Sequence, residues 1–184
     1  MESDIFYEPY LKFKVTKPSA WEFMPPAWSP VEQMKNSLEE NEEHWIKYAG
    51  TPFCVAMRHH NSLRHVYPTF QVTVRYVAKP NNDVANNFLE FQKSFIENQF
   101  QSVSIIEATS KGIFAGFRAN IIRASYILPF ESEEEQINAS VLSWSYAVFA
   151  NQKVFIIGLS SPQEEGYLNE KELCSIIESI RIGT

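Results

Sequence analysis

The chain has little glycine, little cysteine and no concentration of positive charge. Six glycines in 184 residues are too few for glycine-rich phosphate loops. Its two cysteines, Cys54 and Cys174, stand outside any CxxC spacing. Two reduced thiols in a cytoplasmic protein is the simpler reading, a single bridge the alternative. Sixteen Lys and Arg face 22 Asp and Glu, for a net charge of −6. With no basic cluster to neutralise phosphates, nucleic acid is not an expected partner. No run approaches the ~18 apolar residues of a membrane-spanning helix. The segment Met1 to Tyr10 lacks both a basic n-region and an apolar h-region, so neither spanning nor signal-directed secretion is expected. The serine elbow GxSxG, the phosphate loop, GxGxxG and HExxH are all missing, which removes the easily recognised hydrolases, nucleotide enzymes and zinc proteases. The expectation is a non-enzymatic protein that needs no cofactor.

Apolar side chains are plentiful, at 45% of the chain with 14% aromatic. A chain of this length can bury roughly 70% of its unfolded surface, so residues 1–184 are expected to form one domain. Leu11, Phe13 and Val15 alternate with Lys12 and Lys14, the period of a half-buried strand, and a short run follows from Trp21 to Met24. Pro25, Pro26 and Pro30 precede a weakly amphipathic helix that opens a helical insert at about 28–50. A hairpin comes next, with Phe53, Val55 and Met57 on one face, then Phe70, Val72, Val74 and Tyr76 alternating with Gln71, Thr73 and Arg75.

The turn cluster Lys79 to Asp83 supplies an N-cap to a helix carrying Val84, Phe88, Phe91 and Phe95 at i, i+4, i+7 and i+11. This stripe is read as the buried face that covers the sheet. Val103 to Ala108 is expected to turn at Ser110-Lys111-Gly112 into a long strand, Ile113 to Leu128. That strand's apolar phase moves from the odd set ending at Ile121 to the even set starting at Ile122, which predicts a β-bulge there. Leu142 to Val148 alternates, and Val154 to Leu159 is continuously apolar, as in a central strand. A last helix, capped by Asn169 with Glu172 three residues on, buries Leu173, Ile176, Ile177 and Ile180, and Ile182 ends the chain in a short strand. The fold class is α+β: a single antiparallel β-sheet of long strands covered by amphipathic α-helices.

Three groups are candidates for chemistry or contact. Arg58, His59, His60, Arg64 and His65 gather around the first hairpin. His59, His60 and His65 could bind a metal or serve as a base, but adjacent strand residues point to opposite faces, and a solvated hairpin end is the plainer reading. Cys174 could act as a nucleophile or be an inert, partly buried thiol, and Cys54 has the same plain reading. Trp21, Trp28 and Trp45, with Tyr48, lie beside prolines and the insert. They form either a protein interface or a cover over one end of the core. The acidic runs around Glu39–Glu43 and Glu131–Glu135 read as solvated faces.

Lys17-Pro18-Ser19-Ala20-Trp21 resembles the P-x-x-W that closes the first strand of the PsbP-like superfamily. Ile176-Ile177-Glu178-Ser179-Ile180-Arg181-Ile182 resembles its closing I-x-x-S-I-R-I. The order of elements is similar as well; the insert from Trp28 to Gly50 departs from it. The resemblance, to the fold of PsbP, DcrB-type and Mog-type Ran-binding proteins, implies non-enzymatic binding or assembly. The expected function is a protein-binding adaptor, chaperone or assembly factor, its partner another protein or a second copy in a homodimer. The alternative is a small-molecule or metal-binding protein centred on the His59–His65 hairpin.

Overall fold

The fold is seen in a computed structural model that describes residues 4–24, 52–58, 67–77, 81–131, 136–150, 152–163 and 170–183, and among these residues there are two antiparallel sheets and two helices. The strands are β1 (Ile5–Glu8), β2 (Phe13–Thr16), β3 (Trp21–Phe23), β4 (Cys54–Arg58), β5 (Thr69–Tyr76), β6 (Gln101–Phe114), β7 (Phe117–Glu131), β8 (Gln136–Ala150), β9 (Lys153–Pro162) and β10 (Arg181–Ile182). Helix α1 (Asn82–Gln99) lies between β5 and β6, and α2 (Glu170–Ser179) between β9 and β10. The large sheet runs β3-β4-β5-β9-β8-β7-β6, so the apolar β9 is indeed its middle strand. A small sheet, β1-β2-β10, stands apart from it. The class is α+β as the sequence predicts, with the strands divided between two sheets.

One face of the large sheet carries the main core. Phe70, Val72 and Val74 of β5, Trp144 and Val148 of β8, and Phe155, Ile157 and Leu159 of β9 are all buried there. Leu173, Ile176 and Ile180 of α2 and Phe13, Val15 and Ile182 of the small sheet close over them. Burial of each such side chain contributes ~1.5–3 kcal/mol. Ser179 fastens α2 to β2: its Oγ accepts from the Thr16 amide at 2.9 Å. Cys54 and Cys174 are both free, Cys54 buried among apolar neighbours and its thiol pushed upward by that burial.

Glu8, on β1, is buried at 6% exposure and accepts a hydrogen bond from the Tyr10 amide at 3.2 Å. Desolvation raises its pKa, and the Tyr10 bond opposes that only in part. The folded chain therefore holds a proton at pH values where the unfolded chain has released it. Stability from this site is complete below the ordinary glutamate range and is lost as pH rises through the raised value. Glu8→Gln cannot ionise and should escape that loss. In urea titrations the two proteins should nearly coincide at acid pH, with the variant the more stable at neutral pH. Parallel curves would show that Glu8 ionises alike in both states.

The opposite face belongs to α1, and here three expectations change. The helix starts as expected, with Asn81 accepting from the Val84 amide at 2.8 Å. Its buried stripe, however, is Ala85, Leu89 and Gln92, with Ile96 half-buried. Phe91 and Phe95 are 59% and 53% exposed. The real stripe is the expected one shifted by a single residue, a rotation of about 100°. Small Ala85 lets the helix come close to the sheet and leaves the large rings at the rim.

The bulge expected at Ile121–Ile122 does not occur. Strand β7 pairs without a break with β8 from Ala119↔Val148 to Glu131↔Gln136. The change of phase arises because β7 is covered on both faces: Ala119 and Ile121 meet the main core, whereas Ile122 and Ala124 lie with Leu89 of α1. The irregularities fall in edge strand β6 instead, one of them between Thr109 and Gly112. The Ser110-Lys111-Gly112 segment is thus within β6. The turn comes later, at Ala115 (φ 49°) and Gly116 (φ 83°), with Phe114 facing Phe117. Two successive left-handed residues are what a tight two-residue hairpin requires.

Candidate ligand-binding cleft

Helix α1 crosses its face of the sheet toward the β7 side and leaves the floor over β5, β9 and β8 partly open. The result is a cleft of about 390 Å³, within the ~300–1,000 Å³ range of small-molecule sites. One wall is aromatic: Phe88, Phe91 and Phe95 line it from the helix. Phe88 is braced from below by Phe149, ring centroids 6.3 Å apart and edge-on. The far end is closed by Phe100 stacked on Tyr126, at 4.0 Å and 13°.

The floor is polar because strands alternate. The same β5 that sends Phe70, Val72 and Val74 into the core turns Thr69, Gln71, Thr73 and Arg75 toward the cleft. Ser143 and Ser145 of β8 and Gly158 and Ser160 of β9 complete the floor. Gly158 sits between Gln71 of β5 and Ser145 of β8. A Cβ there would meet nothing nearer than Gln71 at 3.5 Å, so the missing side chain lowers the floor at its centre.

Most of the floor hydroxyls are already engaged. Thr69 and Ser160 share a hydrogen bond at 2.6 Å, and Ser145 Oγ accepts from Gln92 Nε2 at 3.2 Å. Burial raises the Tyr126 pKa, and a hydrogen bond with Ser143 lowers it in part, so the phenol stays neutral at physiological pH. Gln92 is 9% exposed, and its Oε1 has no partner among the described residues. A buried acceptor left unmade costs ~1–3 kcal/mol. Arg75 is the one formally charged side chain among the described residues of the lining.

Trp21 and Arg58, singled out in the sequence, do not line this cleft. Trp21 is not on a surface: at 1% exposure it belongs to the main core, and its indole N–H donates to Glu172 Oε2 at 3.0 Å. An interface role for Trp21 is therefore corrected to a core role. Arg58 pairs with the same Glu172 oxygen at 3.3 Å. Trp28, Trp45, Tyr48, His59, His60 and His65, together with the 28–50 insert and Asn169, lie outside the described residues. Among the described residues no three His, Cys, Asp or Glu side chains gather as metal ligands, and no helix is long and apolar enough to cross a membrane. Gln92 and Gly158 were not legible as site residues: a lone glutamine on a helix and a lone glycine in a strand carry no spacing signal.

The fold has counterparts among solved structures. LpqN of Mycobacterium tuberculosis, involved in cell envelope biogenesis, matches with a TM-score of 0.55 at 13% identity, over 93% of this chain and 83% of that one. Cyanobacterial PsbP from Synechocystis sp. PCC 6803 matches with a TM-score of 0.53 at 8% identity, over 99% and 94%. No family model and no curated protein matches the sequence. The fold is PsbP-like, as the two short motifs imply, and at these identities the likeness concerns the fold alone.

Proposed function

We propose that the chain is a non-enzymatic binding protein that holds a small amphipathic ligand in the cleft under α1. The observation that carries this reading is the pair of exposed rings, Phe91 and Phe95, set over a hydroxyl-lined floor. Folding does not favour leaving two large rings in water beside a concavity, and exposed apolar groups rimmed by polar ones mark binding sites. The lining offers rings, hydroxyls, an amide and a guanidinium. Its one weak acid besides those, Tyr126, is shifted away from proton transfer at neutral pH, so binding fits better than catalysis. A cytoplasmic location accompanies the proposal, since both cysteines are free thiols.

The protein-binding adaptor is the second reading, and the same exposed rings favour it: aromatic side chains are enriched at interfaces. Two substitutions separate the readings. Gly158→Val adds a side chain that can only project into the cleft and suits a strand, while both rings keep their places. Phe91→Ser with Phe95→Ser removes the rings and should change stability by only about 1 kcal/mol in sum, as exposed sites do. The neutral fluorophore phenylnaphthylamine should bind the wild type saturably, at one site, and about tenfold more weakly in either variant. If binding ignores Gly158→Val yet responds to loss of the rings, the surface is a partner's docking face instead.

A further inference from the structure

Gln92 is the one polar residue in the buried stripe of α1, where an apolar side chain would continue the pattern of Ala85 and Leu89. Its bond to Ser145 accounts for one end of the amide, Nε2, which donates at 3.2 Å. The other end, Oε1, is closed to solvent and has no partner among the described residues. A buried acceptor of this kind is a standing cost to the fold unless something donates to it. Residues three and four apart are neighbours on a helix surface, so Gln92 stands between Phe88 and Phe95, and all three line the cleft. Ser145, which Gln92 touches, is the register partner of Gly158, so the amide lies beside the lowered part of the floor. The last torsion of a glutamine side chain is broad, and a small turn about it brings Oε1 to the cleft.

On the reading that the cleft is a ligand site, we propose that Gln92 selects a ligand carrying an N–H or O–H donor in the middle of a flat apolar body. The body lies against Phe91 and Phe95, and the donor meets Oε1 between Phe88 and Phe95. A ligand of the same shape without the donor leaves the buried acceptor unmade, and one with an ether oxygen there sets acceptor against acceptor. A site built around a buried polar group rejects an analogue lacking its partner far more strongly than an apolar wall rejects a small change of shape. The rings thus supply affinity and Gln92 supplies selectivity.

Phenylnaphthylamine is such a molecule, with its N–H between two ring systems, and phenoxynaphthalene has the same shape with an ether oxygen in place of the N–H. With the amine titrated into the full chain by fluorescence and the ether measured by its displacement, the amine should bind about tenfold more tightly. Gln92→Met keeps the length of the side chain, removes the acceptor and should bring the two affinities together. Gln92→Ala should do the same, with each variant's unfolding midpoint recorded to show that it is folded. Gly158→Val should weaken both probes alike. Equal affinities in the wild type, a preference for the ether, or a preference for the amine that survives both Gln92 variants would overturn the selectivity, and the cleft would stand as long as Gly158→Val weakens both. If the wild type binds neither probe, or Gly158→Val changes neither, the cleft reading fails and the role of Gln92 with it.

Discussion

Phe13→Ala is expected to cost ~3–5 kcal/mol, the loss typical of a large aromatic removed from a closed core. Phe13 lies on β2, the middle strand of the small sheet, and is fully buried. Its ring meets Phe53 edge-on at 5.4 Å and 89°, and stacks on Phe155 at 5.9 Å and 18°. Phe155 belongs to β9, in the centre of the large sheet, so this one side chain joins the two sheets. A three-stranded sheet has little stability of its own, and α2 is held to it at Ser179. The substitution should therefore lower the unfolding midpoint by about 6–20 °C. It should also expose the amides of β2 to hydrogen exchange ahead of those of β9. Phe13→Leu, which keeps most of the volume, should lose less than half as much. An alanine variant within a degree or two of the wild type would mean that the sheets do not depend on this contact.

Strands were legible where one face alone is buried. In β5 the alternation of Phe70, Val72 and Val74 with Gln71, Thr73 and Arg75 gives both the strand and the face, because period two has a single solution. In β7 the same reasoning produced a false bulge: Ile121 and Ile122 are apolar for different neighbours, the main core on one side and Leu89 on the other. A sequence pattern reports that a side chain is apolar, never which layer covers it.

Helix α1 was legible as a helix capped from the Lys79–Asp83 cluster, where the cap proves to be Asn81, but not in its orientation. Val84, Phe88, Phe91 and Phe95 and the stripe one residue later have the same spacing, and hydrophobicity favours the phenylalanines. What decides between them is the distance of approach, set by Ala85 at 1% exposure. That is a property of the assembled layers. The error conceals the candidate site as well, since the rings assigned to the core are the ones that line the cleft. The floor was half legible. Gln71, Thr73 and Arg75 read as a polar face, but only the fold places β8 and β9 beside them and α1 above.

Trp21 shows how the same composition can mislead in the other direction, and its replacement carries the second large effect. Trp21→Ala should cost ~3–5 kcal/mol, since the indole is 1% exposed and no small side chain can refill its volume. Part of the loss is electrostatic. Glu172 Oε2 accepts from the indole N–H at 3.0 Å and pairs with Arg58 at 3.3 Å, so one carboxylate on α2 ties β3 and β4 to the helix. Trp21→Phe keeps most of the ring and removes the donor, and should cost about 2 kcal/mol, the range for a hydrogen bond to a charged group. Combined with Glu172→Gln in a double-mutant cycle, it should show a coupling of about 0.5–3 kcal/mol. The alternative, a tryptophan spent on a partner, makes the opposite demand: Trp21→Ala would leave the unfolding midpoint in place and weaken a complex. Measuring the midpoint of the isolated chain is enough to choose, because a core residue acts with no partner present.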